Sequence, residues 1–381
     1  MHTVTIEATA TSLDEVRSAL RAALDGGEPL LPLPTEAPLA AGLLAVARAE
    51  EPFEDTALLV PTSGSTGTPK LVQLPAAALR ASVTGTELAL GGPGQWLLAL
   101  PMTHIAGLQV VTRSLLAGTE PVVHGPQRFD EHSFAAATSQ LAGSRRYTAL
   151  VPTQLRRLLA STVGTDALVS YDAVLVGGAA TSPSLLAEAR SAGAAIVTTY
   201  GMSETAGGCL YDGRPIGGAT VTLDETGRIR LGGPTLAHGY RGEPALTAEA
   251  FVDGAFVTSD LGRFDADGRL QVLGRADDVV ITGGVNVHPL AVEAVIAALP
   301  GVRDVCVAGV PDPEWGAAVT AWVVGTASAD DIRAAVRAEL GAPAAPREVH
   351  ALDAVPLLVS GKPDRRRLVA SVTYSPGTVS L

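Results

Sequence analysis

Residues 57–72 read ALLVPTSGSTGTPKLV, an apolar run that leads into a loop of hydroxyl residues and glycines ending in Pro69 and Lys70. The run 57–60 predicts a buried strand. The backbone N–H groups of a glycine-containing loop, its hydroxyls and one ammonium can together surround a polyphosphate. We therefore expect a strand that feeds a phosphate-binding loop.

Helical and strand-like segments alternate over much of the chain. Alanine-rich amphipathic stretches such as residues 12–26 and 181–194 predict helices, and apolar runs such as YDAVLVGGAA (171–180) and AAIVTTYGMSET (194–205) predict strands. Between about residues 211 and 273 the turn signals DETG and DADG predict hairpins. This order predicts an α/β fold with a β-rich subdomain and with function on the loops at the strand ends.

A second domain follows the segment GRADD, residues 274–278. From LAVEAVIAALPGV (290–302) onward the pattern becomes helix, strand, strand, helix, which is typical of a small α+β domain. We therefore predict a large N-terminal α/β domain over residues 1–276 and a small C-terminal domain over residues 277–381.

Composition excludes several classes of protein. The net charge of -12 disfavours a nucleic-acid partner, because neutralising phosphates requires a basic face. Two cysteines form neither a disulfide framework nor a metal cluster, and they favour a reducing cytoplasm. The apolar runs are shorter than an integral membrane segment, and no secretory leader is visible. We expect a cytoplasmic protein that binds a small molecule; the sequence leaves its oligomeric state open, a homo-oligomer included.

Lysine is rare in this chain. Of 27 lysines and arginines, only Lys70 and Lys362 are lysines, and both lie in Gly/Ser loops. Since every other basic residue is an arginine, the two lysines indicate positions where the compact ammonium group of lysine is needed. The spacing of Gly64, Gly67 and Lys70 argues against a P-loop nucleotide-binding motif, in which the lysine follows glycine directly and precedes Ser or Thr.

The segment TSGSTGTPK, residues 62–70, resembles the phosphate-loop signature of the adenylate-forming superfamily, which includes acyl-CoA synthetases, luciferases and peptide-synthetase adenylation domains. Further signatures follow in the family's order: GGAA (177–180), YGMSET (200–205), TSDLGRFDADG (258–268), GRADDVVITGG (274–284) and SGK (360–362). The resemblance implies an enzyme that uses ATP and Mg²⁺ to convert a carboxylate into an acyl adenylate and then passes the acyl group to a thiol, CoA in the synthetases.

The resemblance also implies a set of nucleotide-binding residues. The loop that would hold the β- and γ-phosphates comprises Thr62, Ser63, Gly64, Ser65, Thr66, Gly67, Thr68 and Lys70. The residues expected around the adenine, the ribose and the α-phosphate are Gly177, Gly178, Ala179, Tyr200, Gly201, Met202, Ser203, Asp260 and Arg275. Glu204 is the expected magnesium ligand, because Mg²⁺ takes one or two carboxylates together with phosphate oxygens.

Lys362 is the expected catalytic cation, which bridges the substrate carboxylate and the α-phosphate where negative charge must be neutralised. By resemblance, the small domain rotates about Asp277 between the two half reactions. Lys362 then leaves, and the loop with Gly283 and Gly284 enters to form the channel for the CoA pantetheine. The loop reads GGVNVH where relatives commonly read GGENIY, so the sequence does not predict the details of the surface that takes part in thiol transfer.

Two segments, residues 91–118 and 200–218, resemble the o-succinylbenzoate–CoA ligases of menaquinone biosynthesis in their compact actinobacterial form. The early position of the phosphate loop, which implies a reduced N-terminal portion, supports this resemblance. The substrate of that family is an aromatic dicarboxylate. One carboxylate is activated, and the other must be recognised without reacting, which requires a partner charge if it is buried.

Arg113 is the candidate partner for the ring carboxylate, because its neighbours are apolar and an unpaired arginine there would be costly. The alternative is a salt bridge on a helix surface. His104 either gates the acyl pocket, contacts the reacting carboxylate or is structural. Gly207 and Gly208 would leave room for a flat ring.

Other functions remain open at this point. A CoA ligase for another aryl or short acyl acid would share all the motifs and differ only in the pocket. An adenylation enzyme that loads a carrier protein would not use CoA, and no carrier attachment motif is visible in the chain. A non-catalytic nucleotide-binding scaffold is disfavoured because every residue expected for adenylation is present.

Overall fold

The computed structural model describes residues 1–7, 10–48, 55–62, 70–125, 129–357 and 363–373. These residues form a mixed α/β structure with a large N-terminal domain and a small C-terminal domain, which confirms the predicted fold class. The first sheet contains, in spatial order, β1 (His2–Thr5), β2 (Leu30–Leu33), β3 (Thr56–Thr62), β4 (Lys70–Pro75) and β14 (Gly239–Tyr240).

The second sheet is the central one and is mostly parallel. Its strands are, in spatial order, β11 (Arg214–Pro215), β10 (Gly207–Tyr211), β9 (Ile196–Met202), β8 (Ala173–Val176), β7 (Arg146–Leu150), β5 (Gln95–Leu98) and β6 (Val122–Val123). The helices of this region are α1 (Ala10–Leu24), α2 (Ala37–Ala47), α3 (Ala76–Leu90), α4 (Ile105–Leu116), α5 (Glu131–Thr138), α6 (Pro152–Leu159), α7 (Thr162–Val169) and α8 (Pro183–Ser191).

Two hydrophobic clusters cover the two faces of the central sheet. Along β8, Ala173 and Leu175 belong to one cluster, and Val174 and Val176 belong to the other. Successive side chains of a strand point to opposite faces, so a strand covered on both sides is apolar throughout. Because β8 and β9 are parallel, the loops that follow them lie at the same edge of the sheet, where the sites of α/β folds form.

A third sheet carries the predicted hairpins. It contains β12 (Thr220–Leu223), β13 (Arg228–Gly232), β15 (Phe251–Val252), β16 (Ala255–Phe264) and β17 (Leu270–Arg275), and α9 (Pro244–Ala250) precedes β15. The DETG turn joins β12 to β13 and the DADG turn joins β16 to β17, both antiparallel, which confirms the two hairpin predictions.

The C-terminal domain is a fourth sheet packed with helices. Its elements are β18 (Val280–Thr282), β19 (Val285–Val287), α10 (Pro289–Ala297), β20 (Val302–Asp312), β21 (Gly316–Gly325), α11 (Ala329–Leu340), β22 (Glu348–Ala351) and α12 (Arg365–Thr373). A 3₁₀ turn, Ala276–Asp278, connects the third sheet to this one. Arg156 of α6 pairs with Asp304 of β20 at 2.9 Å across the two domains.

Within the described ranges, no helix combines the length and the apolar character that a membrane crossing requires.

Candidate active site

The strands β3 and β4 bring the two ends of the predicted phosphate loop together. Thr62 and Lys70 are directly paired in the antiparallel ladder. The Lys70 Nζ lies 5.3 Å from the centroid of the Tyr240 ring, a cation–π contact. Seven of the predicted site residues lie outside the described residues, namely Ser63, Gly64, Ser65, Thr66, Gly67, Thr68 and Lys362.

Glu204 lies in the 3₁₀ turn Ser203–Thr205, directly after β9, and is 9% exposed. The Tyr240 hydroxyl donates a hydrogen bond of 2.9 Å to Glu204 Oε1. Burial and the neighbouring Glu204 charge raise the pKa of Tyr240, so the phenol stays protonated and remains a donor. The expected magnesium ligand and the last residue of the phosphate loop, Lys70, therefore contact the same tyrosine.

Sequence reasoning missed Tyr240. It lies in the two-residue strand β14, which pairs with β4 at Val72. No local signal marks so short a strand, and the contact depends on pairing between segments that are far apart in the sequence.

The glycines after β8 lie against β9. A Cβ added at Gly177 would lie 2.2 Å from Thr199 Oγ1, so no larger residue fits without movement. Gly178 has a positive φ of 79°, a conformation that glycine adopts at low cost. Together with Ala179, these residues form a stretch of backbone without bulky side chains, which suits close approach by a flat base.

Tyr200, Asp260 and Arg275 converge at the edge of the third sheet. The Tyr200 hydroxyl donates to Asp260 Oδ2 at 2.7 Å, and burial followed by the Asp260 charge raises the Tyr200 pKa. Asp260 and Arg275 are opposite each other in the β16–β17 ladder. Arg275 in turn pairs with the expected hinge residue Asp277 at 3.0 Å. The expected ribose-binding residues are thus adjacent to the interdomain turn.

The Tyr200 ring packs in part against the apolar cluster that includes Cys209 and Leu231. Gly201 and Met202 complete β9, and Ser203 is the buried first residue of the turn that carries Glu204. These residues therefore connect the expected nucleotide region with the expected metal ligand along one short stretch of chain.

Gly207 and Gly208 occupy the narrow space between α4 and the central sheet. A Cβ added at Gly207 would lie 3.3 Å from Gln109 Cγ and 3.7 Å from Ile105 Cγ1. A Cβ added at Gly208 would lie 3.2 Å from Tyr211 Cε1. We name this space, with α4 on one side and β10 on the other, the acyl slot.

Arg113 lies deep beside the acyl slot. It is 4% exposed, its guanidinium stacks over Trp96 at 4.8 Å, and one terminal nitrogen donates to the Tyr211 hydroxyl at 3.4 Å. The Arg113 Nε has no hydrogen-bond partner, and no carboxylate among the described residues pairs with this guanidinium. The alternative of a surface salt bridge is wrong, because the side chain is buried. Tyr211 also contacts the Thr86 hydroxyl at 2.9 Å.

His104 occupies the opposite end of α4 as its N-cap residue, and it is exposed. Arg113 follows it by nine positions, which corresponds to a rise of about 13 Å along the helix. The structure therefore places these two candidates at the two ends of one helix and not in one cluster.

A cavity of about 490 Å³ opens beside the predicted CoA loop in the C-terminal domain. Gly283 and Gly284, with positive φ of 56° and 79°, form the turn between β18 and β19. A Cβ at Gly283 would lie 2.7 Å from the Trp315 ring. The cavity is lined by Trp315 and by three arginines, which are Arg333, Arg337 and Arg347.

Residues 3–241 match the AMP-binding enzyme family, and residues 291–378 match the AMP-binding enzyme C-terminal domain. The chain therefore belongs to the AMP-binding enzyme family, and the membership that the sequence motifs predicted is confirmed.

Two relatives with named activities are similar to this chain over most of its length. A "Probable 2-succinylbenzoate--CoA ligase" of Mycobacterium tuberculosis is 44% identical over 361 residues, which cover 92% of this chain and 93% of the relative. A medium/long-chain-fatty-acid–CoA ligase of the same species is 35% identical over 363 residues, which cover 84% of this chain and 62% of the relative.

Solved structures share the fold. The o-succinylbenzoate CoA synthetase (MenE) of Bacillus subtilis, in complex with the acyl-adenylate intermediate OSB-AMP, matches with a TM-score of 0.75 at 24% identity, over 96% of this chain and 87% of that chain. The same synthetase with ATP and a magnesium ion matches with a TM-score of 0.69 at 26% identity, over 92% of this chain and 81% of that chain.

Proposed function

We propose that this chain is an ATP-dependent, AMP-forming CoA ligase that activates o-succinylbenzoate and delivers it to CoA for menaquinone biosynthesis. The product is o-succinylbenzoyl-CoA, and AMP and pyrophosphate are released. The 44% identity to a 2-succinylbenzoate–CoA ligase over 92% of the chain supports this substrate.

The observation that carries the substrate assignment is the buried guanidinium of Arg113, with which no carboxylate of the described residues pairs. A buried charge without a counter-charge is expensive, and the cost is offset when an anion binds it with good geometry. The ring carboxylate of o-succinylbenzoate would supply that anion at one end of the acyl slot. The succinyl carboxylate would then lie toward His104 and Glu204, at the other end of α4.

The first half reaction needs two anions held in line. An oxygen of the succinyl carboxylate attacks the α-phosphorus of ATP, and the bond from that phosphorus to pyrophosphate breaks. Glu204, fixed by the Tyr240 hydroxyl, would hold Mg²⁺ against the phosphate oxygens. Thr62, Lys70 and the loop between them would hold the β- and γ-phosphates, and Lys362 would neutralise the charge that develops between the two anions.

The second half reaction transfers the acyl group. The CoA thiol loses its proton to solvent, its sulfur attacks the acyl carbonyl carbon, and the bond from that carbon to the phosphate oxygen of AMP breaks with its electrons going to AMP. We propose that the small domain rotates about Asp277 to present Gly283 and Gly284, whose turn approaches ligands closely because it has no side chains. The three arginines of the adjacent cavity would meet the phosphates of CoA.

A second candidate is a ligase for fatty acids, because one relative at 35% identity carries that name. Arg113 argues against it, since an alkyl chain would leave the guanidinium buried without an anion.

Half-reaction kinetics test the proposal. ATP–pyrophosphate exchange should require o-succinylbenzoate and Mg²⁺, and added CoA should convert the adenylate into thioester. Exchange without thioester would support an adenylation enzyme for a carrier protein. No exchange with any acid would support a non-catalytic nucleotide-binding protein.

A further inference from the structure

The residue between the expected metal ligand and the glycines of the acyl slot has an unusual backbone conformation. Ala206 is fully buried and left-handed, with φ 52° and ψ 36°. Residues other than glycine rarely adopt this conformation, and they keep it only when their surroundings hold them there. Because Ala206 lies directly between Thr205 and Gly207, its conformation sets the direction of the chain from Glu204 to the acyl slot.

Two buried side chains from different helices hold the Ala206 carbonyl. Gln109 of α4 donates to it through Nε2 at 2.6 Å, and Ser82 of α3 donates through Oγ at 3.1 Å. On the other side of the turn, the Thr205 hydroxyl donates to the Gly207 carbonyl at 2.8 Å. These contacts hold the turn on both sides of Ala206 and favour its left-handed conformation.

Gln109 also touches the acyl slot. Its Cγ lies 3.3 Å from where a Cβ of Gly207 would be, and Arg113 is four residues further along the same face of α4. The Gln109 Oε1 is buried and has no hydrogen-bond partner within the part of the chain that the structure describes. The Gln109 side chain therefore contacts both the turn that carries Glu204 and the wall of the acyl slot, beside which Arg113 lies.

We propose that Gln109 is a positioning residue that fixes the Glu204 carboxylate relative to the bound acyl substrate by holding the Ala206 carbonyl. This inference rests on the proposed function, because it assigns Glu204 to the metal and Gly207 to the acyl slot. Gln109 itself takes no part in proton or group transfer. Its effect reaches the reaction through the geometry of the turn.

The variant Gln109→Leu puts a branched apolar side chain, one atom shorter, in place of the amide and removes the donor. With the shortest bond to its carbonyl lost, Ala206 can relax toward an ordinary backbone conformation, and Glu204 and Gly207 move relative to each other. We expect the half-saturating Mg²⁺ concentration and the acyl KM to rise together, each by about tenfold, the size expected for one lost hydrogen bond at a strained site. A purely structural defect lowers the amount of active enzyme, hence kcat, and moves neither constant.

The measurement is ATP–pyrophosphate exchange at varied Mg²⁺ and varied acid, alongside thermal unfolding. Thr148→Val is the matched control, because it removes another buried side-chain bond to a backbone carbonyl, that of Leu97, away from the Glu204 turn. It should lower the melting temperature and leave both constants unchanged. Ser82→Ala removes the second donor to Ala206 and should shift both constants in the same direction by a smaller factor, which keeps the test open if Gln109→Leu does not fold.

The inference is overturned if folded Gln109→Leu, or folded Ser82→Ala in its place, keeps both constants at the wild-type values or loses only kcat. The acid used is whichever one the wild type adenylates, so a preference for another acid overturns the substrate assignment alone. If no acid supports exchange, the same variants are compared by the rise in melting temperature that Mg²⁺ and ATP produce. An equal rise in wild type and variant then counts against the positioning role.

Discussion

Replacing Arg113 with methionine should separate stability from substrate recognition. The change removes a guanidinium that is 4% exposed and leaves a flexible, unbranched apolar side chain that is two atoms shorter. In the absence of substrate, the change removes two contacts that stabilise the fold. The cation–π contact with Trp96 contributes about 0.5–2 kcal/mol, and the long hydrogen bond to Tyr211 contributes less than about 1 kcal/mol. Against these losses stands the desolvation cost of the buried charge; replacing a buried ion pair by apolar groups of similar volume is neutral or stabilises by about 1–4 kcal/mol, and we take that range for the gain here.

The balance predicts a free energy of unfolding that is unchanged or about 1–2 kcal/mol higher for Arg113→Met. The binding of o-succinylbenzoate should weaken instead. Losing charge-assisted hydrogen bonds to the ring carboxylate costs about 3 kcal/mol, which raises the acyl KM by roughly 100-fold. The acid 4-oxo-4-phenylbutanoate, which lacks the ring carboxylate, should show a KM that changes less than about threefold, because it makes no such bond.

Urea unfolding without ligands and steady-state thioester formation with both acids test this prediction. Arg80→Met is the control, because Arg80 is a half-exposed cation on α3 whose partners are Asp25 and the Leu24 carbonyl. It should leave both KM values unchanged. An unchanged KM for o-succinylbenzoate in Arg113→Met, or a loss of more than about 2 kcal/mol in stability, would refute the reasoning.

Three further outcomes are expected. Tyr240→Phe removes the 2.9 Å hydrogen bond to Glu204 and should raise the Mg²⁺ requirement of ATP–pyrophosphate exchange by about tenfold; equal Mg²⁺ curves would show that Tyr240 does not support the proposed metal site. Lys362→Ala should reduce adenylation by orders of magnitude and spare thioester formation from supplied acyl adenylate, and equal loss in both half reactions would contradict domain rotation. Burial raises the pKa of Cys209 to about 11 and of Cys306 to about 12, so neither thiol should react with a disulfide reagent at pH 8 until the protein unfolds, and rapid labelling of the native protein would count against this.

For proposed site residues that lie within one short segment, the sequence predicted the local structure around them. Glu204 could be placed because YGMSET follows an apolar run, and the structure puts it in the turn directly after β9. The cost of an unpaired charge among apolar neighbours predicted the environment of Arg113 correctly, although the same pattern also allowed a surface ion pair.

Residues that reach the site from distant segments could not be predicted in this way. Tyr240 meets Glu204 and Lys70 only because β14 pairs with β4. In the sequence, Gln109 is only a polar residue within an apolar helix. Its hydrogen bond to the Ala206 carbonyl is visible only in the folded structure. Trp96 becomes a partner of Arg113 through the packing of α4 on β5. Such contacts depend on tertiary packing, and a periodicity of 2 or 3.6 residues carries no information about them.

Thioester formation with ATP, Mg²⁺ and CoA over a small panel of acids tests the central claim most directly. The panel comprises o-succinylbenzoate, 4-oxo-4-phenylbutanoate, benzoate, a medium-chain fatty acid and an amino acid. The proposed function predicts that kcat/KM is highest for o-succinylbenzoate, by about 100-fold over the same acid without the ring carboxylate, because only the first places an anion on Arg113. Equal or greater kcat/KM for the fatty acid would contradict the assignment of o-succinylbenzoate while leaving the ligase chemistry in place.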